Sequence, residues 1–293
     1  MKALRREPTS AGPDAALAPA LQGIGRAAVV ALYDELALDP KPGLVSFVDS
    51  GSHHDMDAQT LLRSLFSLRH CFPRLAVLGA AGAAFAALER EGIAAEARML
   101  QATGGINTHR GAIFCLGLLC ASAGALLAQR EALDAAALRR TVASRWGGAL
   151  RERVPRASTS HGASAARRFG LRSAGAEAAL GFPVLFETTL PALQSAQQRG
   201  ASTREARVQA LFETIAVLAD TNLAHRGGLA GLRHAQQAAR GFLAAGGALR
   251  PDGIAHARAV HADFVARRLS PGGAADMLAA ACWVQRVCGT VRR

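Results

Sequence analysis

From Gly111 to Ala128 the chain carries no charged residue, and Arg110 and Arg130 bracket the run. A stretch this apolar must leave water along its whole length. It is either a membrane span or the central buried helix of a soluble bundle. Gly117, Ser122 and Gly124 interrupt it, and it starts directly at a polar, glycine-bearing octapeptide. Those features favour the buried helix, with other helices packed around it.

The rest of the chain reads as partners for that helix. Leu21 to Leu38 has helical spacing in Ile24, Ala28, Leu32 and Leu36. Asp39-Pro40-Lys41-Pro42-Gly43 ends it, because proline disfavours helix in the residue before it. A loop to Ser52 follows, with a short extended piece at Leu44 to Val48. Ala58 to Cys71, Arg74 to Glu91 and Ala94 to Ala102 read as helices. Gly79, Gly82 and many alanines in the second of these predict close helix–helix approach. Asp134 to Leu150 is a surface helix. Later helices run from Thr203 to Leu218, Gly228 to Ala244, Asp252 to Leu269, and Gly272 or Ala274 to Val287. No β alternation is visible. The expected fold is all-α, a multi-helix bundle, with one domain over 20–293 after a disordered tail at 1–19.

Polar, glycine-bearing stretches break this pattern. Gly104-Gly105-Ile106-Asn107-Thr108-His109-Arg110-Gly111 precedes the apolar helix. Asn107 or Thr108 can cap it, which puts His109 and Arg110 in the first turn, where free N–H groups favour an anion. Asp220-Thr221-Asn222-Leu223-Ala224-His225-Arg226-Gly227-Gly228 repeats the order Asn, His-Arg, Gly with one extra residue. A third cluster runs from Lys41 to Asp57. Together they predict a cleft lined by Gly-rich loops and helix N-termini. Arg151 to Gly175 is less regular and basic, either a solvated loop or a flap over phosphates.

The net charge is +12, and all but two of its bases are arginine. That balance favours anionic partners such as nucleotides or coenzymes. Nucleic acid fits less well, since the arginines are spread out and aromatic residues are too few for a stacking platform. Cys71, Cys115, Cys120, Cys282 and Cys288 form no C-x-x-C pair, and no signal peptide is visible. Free thiols in a reduced cytoplasm are expected.

Six stretches, in order, resemble the triphosphoribosyl-dephospho-coenzyme-A synthase family. They are Lys41-Pro42-Gly43-Leu44-Val45, Ser50-Gly51 with His54-Asp55-Met56, and Gly105 to Gly111. Gly181-Phe182-Pro183, Asp220-Thr221-Asn222 with Arg226-Gly227-Gly228, and Ser270-Pro271-Gly272-Gly273-Ala274-Ala275-Asp276 complete the set. They span roughly residues 25 to 290. Ser46 stands where the family tends to carry an acid, so that position is given no role.

The resemblance implies a pentosyltransferase. The ribose 2′-hydroxyl of 3′-dephospho-coenzyme A attacks the anomeric carbon of ATP, and adenine leaves. The product, a prosthetic-group precursor for citrate lyase or malonate decarboxylase, passes to a holo-carrier-protein synthase. Both substrates are polyanions. Lys41, Gly105, Asn107, His109, Arg110, Asn222, His225, Arg226, Gly227 and Gly228 are the expected binding residues. Mg²⁺ would share the triphosphate oxygens with one or two carboxylates, for which Asp55, Asp57 and Asp220 are candidates and Asp276 a reserve. Cleavage through a cationic sugar calls for a carboxylate beside it and for proton transfer. Asp55, Asp57, His109 and Asp220 are the expected catalytic groups, with His109 or His225 as donor to adenine.

Two other readings remain in view. An all-α metal-dependent phosphohydrolase would use the His54-Asp55 doublet, yet it needs a histidine upstream and none precedes His53. A non-enzymatic nucleotide or nucleic-acid binder explains the charge but not the six polar motifs.

Overall fold

A computed structural model of the chain describes residues 15–153 and 161–289. Among them there are helices and turns but no β-strand. In chain order the helices are α1 (Ala18–Leu36), α2 (Ala58–Ser67), α3 (Cys71–Ala80), α4 (Phe85–Ala102), α5 (Arg110–Ala128), α6 (Ala135–Arg153) and α7 (His161–Phe169). They continue as α8 (Ala174–Ala179), α9 (Leu190–Gln198), α10 (Thr203–Val217), α11 (Thr221–Ala244), α12 (Gly253–Ala266) and α13 (Gly272–Gly289). The all-α expectation holds. Of the tail expected over 1–19, residues 1–14 lie outside the described residues, and the chain is helical from Ala15 onward.

The uncharged run is α5, and 78% of it is buried. It packs on α1, α3, α4, α6 and α13. Its approach to α3 is backbone against backbone. A Cβ on Gly79 would lie 1.9 Å from the Ala121 carbonyl oxygen, and one on Gly124 would lie 1.9 Å from that of Ala76. Glycines at these two positions let the axes come closer than side chains allow.

Three expected boundaries move. The helix drawn from Arg74 to Glu91 is split at Gly82, where the amides of Gly82 and Ala83 close back on the carbonyls of Gly79 and Leu78. That pattern is a Schellman stop, and the next helix then runs through Gly92 to Ala102. The extended piece at Leu44 to Val48 is irregular loop with a bend, in which the Ser46 N–H donates to the Asp49 carbonyl. Helix α11 starts at Thr221 and kinks at Gly228, whose φ is 64°. Asp220, Asn222, His225 and Arg226 therefore belong to a helix cap and its first turns.

Candidate active site

One cleft of about 1320 Å³ opens where the N-terminal ends of α5, α11 and α13 approach α1, α4, α6 and α7. Asp55, Gly105, Asn107, His109, Arg110, Asn222, His225 and Arg226 all line it. Residues far apart in sequence, from three of the polar stretches, thus share one wall.

The octapeptide ends one helix and starts the next. Gly104 and Gly105 have φ of 67° and 92°, left-handed values that favour glycine, and the Gly105 amide donates to the Leu100 carbonyl. The chain then turns into α5, where the Asn107 side-chain oxygen accepts from the Arg110 amide. Arg110 pairs with Glu96 of α4, and its Nε is buried without a partner. His109 is only 5% exposed. Its Nδ1 lies 2.6 Å from the Ser64 hydroxyl, which itself accepts from Thr108. A hydroxyl gives one proton and accepts two, so Ser64 serves either tautomer of the ring. The ring's Nε2 is buried and unpartnered. Burial and the nearby Lys41 push the His109 pKa down to about 4, so the ring is neutral at pH 7.

Across the cleft, Arg226 donates to the carbonyls of Ser52 and Arg268 and to His53 Nδ1. His53 in turn meets the Ser270 hydroxyl at 2.9 Å. Burial and Arg226 hold the His53 pKa at about 4. Asp55 is exposed and 3.5 Å from His53. His225 stacks on His161 of α7, with ring centroids 4.3 Å apart. Through α7 and its neighbours the basic segment reaches the site. Arg153, Arg167 and Arg172 line the cleft, Arg153 pairing with Glu89 and Arg172 with the buried Glu177. Arg156 and Ser158-Thr159-Ser160 of that segment lie outside the described residues.

Several expected site residues are placed elsewhere. Lys41 is 1% exposed and does not line the cleft. Its ammonium donates to Glu35 Oε1 at 2.6 Å and to the Glu35 carbonyl at 2.8 Å, and it is Glu35 that lines the cleft. Asp57 caps α2, accepting from the Thr60 amide and hydroxyl; those bonds lower its pKa. Asp220 is buried as a double cap, accepting from the amides of Asn222 and Leu223 at the start of α11 and of Ala274 in α13. Gly227 packs under Leu269, and Gly228 makes the kink. Among the described residues no three His, Cys, Asp or Glu side chains converge as a metal site. Capping engages Asp57 Oδ1 and both oxygens of Asp220, whereas Asp55 is exposed.

Other residues enter the cleft that the motif reading gave no role. Glu35, His53, His161 and Ser270 are among them. Periodicity marks Glu35 only as a polar position on an apolar helix, and nothing in the spacing couples it to Lys41. Asp276, held in reserve before, lies against the start of α5, where a Cβ on Gly111 would meet its Oδ2 at 1.9 Å.

Comparison with known proteins relates the whole chain to one family. The sequence model of the ATP:dephospho-CoA triphosphoribosyl transferase family matches residues 21–292. A Klebsiella pneumoniae protein named 2-(5''-triphosphoribosyl)-3'-dephosphocoenzyme-A synthase is 41% identical over 275 residues, covering 91% of this chain and 95% of its own. Proteins from Acinetobacter calcoaceticus and Azotobacter vinelandii, both named "Probable 2-(5''-triphosphoribosyl)-3'-dephosphocoenzyme-A synthase", are 37% and 39% identical. The first alignment covers 88% of both chains and the second 89% of both. No solved structure matches the chain.

Proposed function

The chain belongs to the ATP:dephospho-CoA triphosphoribosyl transferase family, and from that premise we propose how its cleft performs the transfer. The enzyme joins the triphosphoribosyl group of ATP to the ribose 2′-hydroxyl of 3′-dephospho-coenzyme A and releases adenine. The observation that carries the reading is the convergence of the two His-Arg stretches on one cleft, at the starts of α5 and α11.

The triphosphate sits along the basic wall. Arg110 has an unused Nε, and the first-turn amides of α5 add donors that need no rearrangement. Arg153, Arg167 and Arg172 extend the positive wall on the other side. Arg226, tied to two carbonyls and His53, is rigid and keeps its charge facing the cleft, which suits a phosphate of either substrate. The apolar part of the cleft, with Phe85, Leu88, Phe114 and Leu118, suits the pantetheine arm.

Mg²⁺ bound with the triphosphate would neutralise part of its charge, and Asp55, the exposed carboxylate of the cleft, would hold it. Asp55 also suits the role of base for the attacking hydroxyl, being open to water and adjacent to His53. His109 is neutral, and its unpartnered Nε2 serves as a fixed polar contact for substrate. The buried free cysteines fit a reduced compartment such as the cytoplasm.

The test is direct. Protein, Mg²⁺, ATP and dephospho-coenzyme A should give adenine and the conjugate in equal amounts, with no phosphate or pyrophosphate. ADP and phosphate as the only products would return the cleft to a hydrolase.

A further inference from the structure

We infer that His109 Nε2 reads the edge of a substrate's purine ring, the adenine of ATP or of dephospho-coenzyme A. The inference rests on the transferase reading and names what that nitrogen touches.

The geometry begins with an atom that the protein leaves unpaired. His109 Nε2 is buried and meets no hydrogen-bond partner among the described residues, and His109 lines the cleft. A buried nitrogen without a hydrogen bond is costly, so its partner is expected from what enters the cleft. The rest of the residue is engaged. Nδ1 lies 2.6 Å from Ser64 Oγ, which accepts from Thr108, and the His109 amide donates to Met99 Sδ. Helices α2 and α4 thus hold the ring and its backbone from two sides, and Nε2 keeps one direction.

The surroundings select the kind of partner. His109, Ile113 and Gly117 stand four residues apart at the start of α5, so they share one face, and all three line the cleft. Leu75 closes on Gly117, its Cδ1 2.8 Å from where a Cβ would stand. Leu61, one turn before Ser64 on α2, lines the cleft as well. The wall that continues from His109 is apolar, with a single unpaired nitrogen at its head. A phosphate oxygen is poorly served there. The ring is neutral at pH 7, and the nearby Lys41 is committed to Glu35. Arg110, the next residue, pairs with Glu96 of α4.

A flat, neutral heterocycle meets both conditions. Its faces lie against apolar side chains, and its edge hydrogen-bonds to one fixed polar group. Adenine suits either tautomer of His109. Its ring nitrogens accept from an Nε2–H, and its 6-amino group donates to a bare Nε2. Both substrates carry this base.

The experiment deletes purine atoms one at a time. Calorimetry gives Kd for ATP and for its 1-deaza, 3-deaza, 7-deaza and 6-desamino analogues without dephospho-coenzyme A, so no glycosidic bond breaks. KM is measured for dephospho-coenzyme A with the same changes, whose base does not leave. In the unmodified enzyme at least one deletion should weaken binding by about five- to a hundredfold. In His109→Ala the same deletion should cost less than about twofold, because the contact is already gone. A loss in the ATP series assigns the nitrogen to the base that departs, and a loss in the coenzyme series to the base that stays. An undiminished deletion penalty in His109→Ala would make the histidine structural and overturn the inference. Equal affinity of the unmodified enzyme for every analogue would overturn it too, and that measurement needs no variant to fold. Selective purine binding without adenine release from ATP would instead sink the transferase reading.

Discussion

The Lys41 ammonium lies 2.6 Å from Glu35 Oε1 and 2.8 Å from the Glu35 carbonyl, and the lysine is sealed from water. Burial lowers its pKa and Glu35 opposes the shift. The loop that carries it is pinned as well, since His261 Nδ1 meets the Lys41 carbonyl at 2.7 Å. Breaking a buried pair costs about 3–5 kcal/mol because one charge is left without compensation. Lys41→Arg is too broad for this space and should lower the melting temperature and turnover together. Lys41→Met should do so as well, and adding Glu35→Gln should restore part of the melting temperature. Native stability in Lys41→Arg would mean that the core admits a guanidinium.

Gly111→Ala separates the helix from the site. Alanine is the better helix former by about 1 kcal/mol, so α5 should not weaken. The added methyl must displace the Asp276 carboxylate, 1.9 Å away in ideal geometry. Adenine release should fall at least about tenfold with little change in melting temperature. A normal rate would show that Asp276 need not sit where it does.

Arg110 and its partner Glu96 should behave oppositely. Arg110→Ala removes a charged contact and should weaken ATP turnover by about ten- to a thousand-fold. Glu96→Gln frees the guanidinium and should leave KM for ATP unchanged or lower. Equal losses in the two variants would make the pair a structural clamp between α4 and α5.

His109 predicts acid sensitivity. Its folded pKa is about 4 against 6.5 when free, so between those values the unfolded chain binds a proton that the fold does not. The contribution is complete above pH 6.5 and is lost as pH falls toward 4, about 3 kcal/mol at most. Asp276 has the opposite sign, because its raised pKa favours the folded state as pH falls. Comparing native enzyme with His109→Gln between about pH 7 and pH 5 isolates the histidine. The variant should lose less melting temperature over that range, and parallel curves would rule out a neutral buried ring.

Gly124→Ala tests the packing of the central helix. Its methyl would meet the Ala76 backbone, which cannot swing aside as a side chain can. Overpacking of this kind costs about 1–3 kcal/mol, or several degrees in melting temperature. An unchanged melting temperature would show that α3 and α5 can slide apart freely.

Much was legible before any coordinates. The uncharged run determined α5 as a helix that must leave water, and among the described residues five other helices pack around it. The polar stretches were legible as helix starts, because glycine, asparagine and aspartate are the residue types that stop and cap helices. What the sequence could not carry was which polar group faces the ligand and which faces the protein. Lys41 read as a substrate ligand and Asp220 as a catalytic or Mg²⁺-binding carboxylate, yet the fold turns both inward, one to Glu35 and one to the amides of α11 and α13. Asp276 read as a reserve, yet it lines the cleft and no hydrogen bond engages its carboxyl among the described residues. Residue type fixes what a side chain can donate or accept. Whether that capacity is spent inside the protein depends on neighbours from distant helices, and only their packing decides it.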